Sequence, residues 1–203
     1  TKGLKQSSFL LLQGLTKLRQ IANHPYMVDP DYVDGSGKLD DISRMLENAI
    51  EQGHKMLIFS QFVKHLSIVK NLLDEKGINY AYLDGSSTNR KQIVENFQNN
   101  PELKIFLISL KAGGLGLNLT TADYVFILDP WWNPAVEMQA VDRAHRIGQK
   151  NTVLTYKFIT KNTVEEKILA LQQKKIKLAT DLISTDESMV KSFTREDIEL
   201  ILS

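Results

Sequence analysis

The sequence contains no cysteine. Disulfide frameworks, thiolate zinc sites and cysteine nucleophiles are thereby excluded, and the composition fits a reducing, intracellular compartment. Histidine is scarce too. His24, His54, His65 and His145 lie far apart, with neither HxxxH nor HExxH spacing, so no metal site is expected. Nor is there an excess of charge of one sign. Lys and Arg number 25 against 24 Asp and Glu, a net charge of +1, which excludes a histone-like basic field and leaves room only for a local nucleic-acid groove. No apolar run approaches the ~20 residues of a membrane helix. The longest, such as 105–108 and 124–128, are strand-sized, so a soluble protein without a membrane partner is expected. The chain opens on Thr1 rather than Met and has no charged-then-apolar leader; it is expected to be a segment of a longer polypeptide.

What is present is enough for a folded domain: 203 residues, 42% hydrophobic and 24% charged. Leu11, Leu12, Leu15, Leu18 and Ile21 follow helical spacing and predict an opening helix over 9–21. The stretch 29–38, with Pro30, Gly35 and Gly37, reads as a linker or loop, and a second amphipathic helix follows over 39–50. Short apolar runs at 56–59, 79–83, 105–108, 125–128 and 153–159 then alternate with helical segments at 63–76, 89–97 and 134–146. Continuously apolar strands alternating with helices predict an α/β fold, a parallel sheet with helices on both faces. Thr163-Val-Glu-Glu166 is a capping box that opens a long helix to about Leu182, and a short helix starts at Thr194. The sheet thus carries helical extensions at both ends of the chain.

In an open parallel sheet, ligands bind beyond the carboxyl ends of the strands, so the candidate chemistry is sought there. Residues 109–118 hold three glycines and Lys111, which suit either an anion cradle or an ordinary tight turn. No nucleotide P-loop exists in the chain: at Gly35-Ser-Gly37-Lys38, Tyr32 replaces the first Walker A glycine and Leu39 the Ser or Thr. Gln139, Arg143 and Arg146 stand at i, i+4 and i+7 of a predicted helix and would share one face. Either an anion lies against the two guanidiniums, as a phosphoryl group in transfer would, or Asp142 pairs with Arg146 on a solvated face. His145 reads as a packing residue. Of Trp131 and Trp132, one reads as core and an exposed one as a stacking surface for nucleic acid. Ser60-Gln61 and Asp84-Gly85-Ser86-Ser87 put small donors at the same sheet edge, as phosphodiester contacts or as helix caps.

Read in order, KMLIFSQF (55–62), YLDGSS (82–87), ISLKAGGLGLNLTTADYVFILDPWWNP (108–134) and QAVDRAHRIGQ (139–149) closely resemble the second RecA-like lobe of the Swi/Snf-type DNA-translocating ATPases, within superfamily-two helicases. The likeness extends from LRQIANHP (18–25) to TVEEKIL (163–169), with Ala22 where the family often has cysteine. It implies a RecA-like, P-loop-NTPase-type sheet over 36–160, an N-terminal helical segment and linker over 1–35, and a brace helix and tail over 161–203. It also implies an ATP-dependent motor on double-stranded DNA. In that role Arg143 and Arg146 are arginine fingers, Gln139 positions them, and Gly114 and Gly116 face the nucleotide. Ser60, Gln61, Gly85, Ser86, Lys111 and Trp132 lie along the DNA backbone or couple it to ATP. ATP and Mg2+ would be held mainly by a first lobe of the same polypeptide, which these residues do not include, so the lobe alone is expected to be inactive. DNA-bound protein complexes are the further partners implied. The rival readings are a lobe of a strand-separating helicase and a non-catalytic DNA- or protein-binding module of the same fold.

Overall fold

The computed structural model describes residues 2–112 and 117–181, with side chains over 10–112 and 117–177. Among them, β1 (Met56–Ser60), β2 (Tyr80–Leu83), β3 (Ile105–Ser109), β4 (Tyr124–Ile127) and β5 (Leu154–Lys157) form one parallel sheet in the order β2-β3-β1-β4-β5. β1 and β3 are buried at every position, which is why each reads as an unbroken apolar run. Alternation along the strands sorts their side chains onto two faces. Leu57, Phe59, Phe106, Ile108 and Val125 pack with Phe97 of α4 (Arg90–Asn99) and Ala140 of α5 (Pro134–Val141). Met56, Ile58, Leu107 and Phe126 pack instead with Ile42 and Leu46 of α2 (Gly37–Glu51) and Leu66 and Val69 of α3 (Val63–Glu75).

The helix after β1 therefore lies on one face and the helix after its neighbour β4 on the other. Such a divergence is a topological switch point, where an open parallel sheet leaves a crevice beyond its strand ends. Met56 is in register with both Ile105 and Tyr124, so the strand ends on either side of β1 stand nearly level.

The terminal helices, α1 (Lys2–Asn23) and α6 (Val164–Asp181), pack together through Leu15, Val164, Ile168 and Leu171. Of the five apolar residues whose spacing predicted the opening helix, only Leu15 turns inward. Leu11, Leu12, Leu18 and Ile21 are 41–46% exposed, whereas Leu15, Arg19 and Asn23, one turn apart, are buried. The buried face of α1 is apolar at one end and polar at the other. Its polar end meets Lys38, whose ammonium donates to Asn23 Oδ1 (3.0 Å), the Leu128 carbonyl (3.1 Å) and Glu165 Oε2 (2.6 Å). Glu165 also accepts from the Thr160 N–H at 2.8 Å, and Thr160 Oγ1 donates to the Ala22 carbonyl at 2.7 Å. The capping box at α6 forms one residue out of place, with Glu166 reaching back to the Asn162 N–H at 2.7 Å. The short helix expected from Thr194 lies outside the described residues. No helix among them is long and apolar enough to cross a membrane.

Burial pushes the Lys38 ammonium below its ordinary pKa, and Glu165 opposes the shift. Removing either partner leaves a charge in a site almost closed to water, so Lys38→Met or Glu165→Gln should each cost about 3–5 kcal/mol in urea unfolding. The Lys38→Met, Glu165→Gln double variant should lose less than the sum of the two single losses, by about 1–3 kcal/mol. Strict additivity would show that the pair does not act as a unit.

Candidate functional site at the carboxyl edge of the sheet

Because the sheet is parallel, every post-strand motif reaches one edge. Gln61 follows β1, Gly85 and Ser86 follow β2, Lys111 follows β3, and the stretch from Asp129 to Trp132 follows β4. Lys111, Gly85 and Ser86 are exposed. The loop after β2 is tied inward: the Ser86 N–H and hydroxyl both donate to Asp84 Oδ1 (2.9 and 2.7 Å), and these bonds hold the Asp84 carboxyl below its ordinary value. Arg90 closes the loop by donating to the carbonyls of Ser87, Asp84 and Gly85. Ser86 can thus offer a donor to a phosphate only by giving up Asp84.

Ser60 does not serve as a DNA-facing residue. It is fully buried, and its hydroxyl donates to Asp129 Oδ2 while accepting from the Phe62 N–H at 3.0 Å. It is a structural link between the ends of β1 and β4. Asp129 is equally buried; its Oδ1 accepts from the Gln61 N–H at 3.2 Å, and His65 Nδ1 stands 3.9 Å from Oδ2. Burial alone would raise the Asp129 carboxyl, but the His65 ring, the Arg19 guanidinium and the Ser60 hydroxyl outweigh it and hold the group below the ordinary value.

Both tryptophans are half-buried. Trp131 packs on the core of the α4 and α5 face, and Trp132 on the α1 and α6 cluster. Neither stands free at the edge. Arg19 reaches this place from α1: Nη1 donates to Gln61 Oε1 (3.0 Å), Nη2 to the Pro130 carbonyl (2.5 Å), and the guanidinium lies 4.3 Å from the centre of the Trp132 ring. Sequence reasoning passed over Arg19, Lys38, Asp129 and Glu165 as functional groups. It also passed over Glu137, whose Oε1 accepts from the Trp131 N–H and from Gln172 of α6, and whose Oε2 pairs with Lys157 at 2.5 Å. The available signal was a charged residue at the buried phase of a helix, as with Arg19 one turn from Leu15.

The arginine segment differs from expectation in shape. α5 ends at Val141 rather than near Arg146, so Gln139, Arg143 and Arg146 do not form one helical face. Residues 142–149 turn back onto the segment before β4. The Arg143 carbonyl accepts from the Leu119 N–H at 3.0 Å, Gln149 Nε2 donates to the Ala122 carbonyl at 2.8 Å, and Gly148 sits at φ +106, a conformation that favours glycine. The regular i, i+4 spacing of a helical Asp142–Arg146 pair is lost with the helix. Gln139 and His145 are exposed, so His145 is not a packing residue. Arg143 is 5% exposed, and among the described residues its Nε and Nη1 have no hydrogen-bond partner. Burial, and then the neighbouring Arg146 charge, lower its pKa. A buried cation beside a second cation, with two unused donors, is arranged to receive an anion. Gly114 and Gly116 lie outside the described residues.

A five-stranded parallel sheet with this strand edge and this arginine segment defines a RecA-like lobe of the helicase class. The family model for the helicase conserved C-terminal domain matches residues 37–148, and the chain belongs to that family, as the C-terminal lobe of a Swi/Snf-type protein. It is 40% identical over 195 residues to an uncharacterized ATP-dependent helicase of Mycoplasma pneumoniae, covering 95% of this chain and 19% of that one. It is 42% identical over 193 residues to human SWI/SNF-related matrix-associated actin-dependent regulator of chromatin subfamily A member 1, covering 88% and 18%. A solved structure of the C-terminal part of the Fun30 ATPase domain superposes with a TM-score of 0.68 at 36% identity, over 82% of this chain and 54% of that one. The chain spans about one fifth of the length of the curated relatives it matches.

The depressed Asp129 carboxyl sets a pH dependence. Its folded pKa lies below the unfolded value of about 3.9, so its stabilisation is complete above that pH and is lost as pH falls through the folded value. Asp129→Asn should therefore cost about 1.5–3 kcal/mol at pH 7. The difference in melting temperature from the parent chain should close below about pH 4. A difference unchanged down to pH 3 would show that the charge of Asp129 is not what matters.

Proposed function

We propose that this lobe is the second half of an ATP-dependent motor that moves along double-stranded DNA. The observation that carries the reading is Arg143, buried, adjacent to Arg146 and with two guanidinium donors unused. A non-catalytic module of the same fold has no need of such a group, which costs about 1–3 kcal/mol or more to leave unpaired. ATP bound by a first lobe would supply a γ-phosphoryl group whose charge spreads in transfer, and Arg143 and Arg146 would stabilise it. Gln139 would position them, and the loop with Gly114 and Gly116 would line the nucleotide. Among the described residues no three His, Asp or Glu side chains gather as a cation site, so the reading assigns Mg2+ to the first lobe.

Exposed Lys111, with Gly85 and Ser86, Gln61 and Trp132, lies along the strand edge that would follow one DNA backbone. Contacts of this kind position without reading sequence. The names of the relatives support this reading: the human one is a regulator of chromatin, and the Mycoplasma one an ATP-dependent helicase. Residues 36–160 are read as the lobe proper, 1–35 and 161–203 as its helical extensions, and DNA-bound proteins as the load. The 203-residue chain alone, lacking a Walker A loop, should not turn over ATP.

In the two-lobe polypeptide, Arg143→Lys or Arg146→Lys keeps the charge and loses the planar fork. Each should lower DNA-stimulated ATP turnover by about two decades, equivalent to ~3 kcal/mol of transition-state stabilisation, while the melting temperature hardly moves. Near-normal turnover in both would reject the finger assignment. Lys111→Ala should weaken DNA binding and reduce the slope of log affinity against log salt by about one contact. An unchanged slope would remove Lys111 from the DNA path.

A further inference from the structure

We infer that Arg19 is a positioning residue for the DNA-facing edge, and that it fills the switch-point crevice between β1 and β4 with protein rather than leaving it to a ligand. The inference rests on the motor reading above and deepens it. The guanidinium comes from α1, outside the sheet, and touches both walls of the crevice. On the β1 side it donates to Gln61 Oε1 and lies 5.2 Å from the Phe62 ring centre. On the β4 side it donates to the Pro130 carbonyl and lies 4.3 Å from the Trp132 ring centre. Gln61 and Trp132 are the two proposed DNA contacts nearest the switch point, and one side chain fixes both.

The chemistry is particular to arginine. A planar cation can stack on an indole face while its edge donates in two directions, and a lysine ammonium cannot do both. Arg19 is 2% exposed and both its terminal nitrogens donate to protein oxygens, which together remove it from direct contact with a phosphate. Burial lowers its pKa to about 10, and the charges of Asp129, Glu165 and Glu137 oppose the shift. The charged form is thus favoured by carboxylates after β4 and on α6 and α5, while the contacts that fix the side chain point to the edge. Because α1 also packs on α6, the setting of Trp132 is tied to the docking of the terminal helices. Trp131 has no part in this: it packs on the opposite core.

The test uses Arg19→Met and Arg19→Lys, with Trp131→Phe as background so that Trp132 is the sole tryptophan of the 203-residue chain. In the 203-residue chain, verified as folded by circular dichroism, acrylamide quenching of Trp132 should rise at least about twofold in Arg19→Met and less in Arg19→Lys. In the two-lobe polypeptide, Arg19→Met should raise the duplex-DNA concentration for half-maximal ATP turnover by about tenfold. That factor should exceed any fall in turnover at saturating DNA. The salt slope of DNA affinity should stay unchanged, because no phosphate contact is removed. Should Arg19→Met fail to fold, Arg19→Lys carries the same readouts at smaller size. Unchanged quenching in the folded variants overturns the inference. So does a salt slope reduced by one contact, or normal DNA dependence in Arg19→Met when Trp132→Phe itself impairs it. If neither Trp132→Phe nor Gln61→Ala alters DNA affinity, it is the DNA reading of this edge that fails, and the inference falls with it even if quenching rises as stated.

Discussion

The arrangement of this lobe depends on where the Lys38 ammonium is allowed to sit. It has three protons to donate and almost no water to receive them, and its three acceptors come from α1, from the end of β4 and from α6. Only one docking of those elements brings Asn23, the Leu128 carbonyl and Glu165 together around the first turn of α2. Buried ion pairs add little net stability over a well-packed apolar replacement, but breaking one is costly. The consequence is a constraint on geometry: α1 and α6 can shift on the sheet only by opening a charged pocket. Leu15, Val164, Ile168 and Leu171 supply apolar area without direction, whereas the Lys38 junction supplies direction.

That division explains which parts of the fold were legible in the sequence. β1 and β3 are buried on both faces, so their apolar runs and the parallel sheet follow from hydropathy alone. The opening helix was legible as a helix but its buried face was not, because the deciding contacts of Arg19 and Asn23 are polar and nonlocal. Arg19 meets Gln61 across 42 residues, Ser60 meets Asp129 across 69, and Lys38 meets Glu165 across 127. No periodicity records such pairings. The end of α5 was misplaced for a related reason. Nothing in residues 142–146 breaks a helix, and the turn is made by Leu119 taking the Arg143 carbonyl from a distant segment.

At the site, chemistry at strand ends was legible because a parallel sheet delivers all its post-strand loops to one edge. Which side chains face outward was not. Ser60 ends buried β1 and Lys111 follows buried β3, yet Ser60 closes on Asp129 within the edge while Lys111, two residues beyond β3, is exposed. The difference lies in the neighbour: β1 is adjacent to β4, whose last residues bring a buried carboxylate that needs donors.

Arg19 and Arg143 show how a structural arginine differs from one held ready for an absent ligand. Both are nearly closed to water, at 2% and 5% exposure, and burial lowers the pKa of both. Arg19 is surrounded by Asp129, Glu165 and Glu137, and its two terminal nitrogens donate to protein oxygens. Arg143 has the charge of Arg146 beside it, and among the described residues its Nε and Nη1 find no acceptor. Among the described residues Arg19 leaves only Nε without a partner and Arg143 leaves both Nε and Nη1, so the fold completes the first cation further than the second. Folding alone gives no reason for the second arrangement, since an unpaired buried guanidinium is a net cost. On the motor reading proposed above, its compensation would come from an anion outside this lobe, and a phosphoryl group held by a second lobe would meet the requirement for charge and for planar donors.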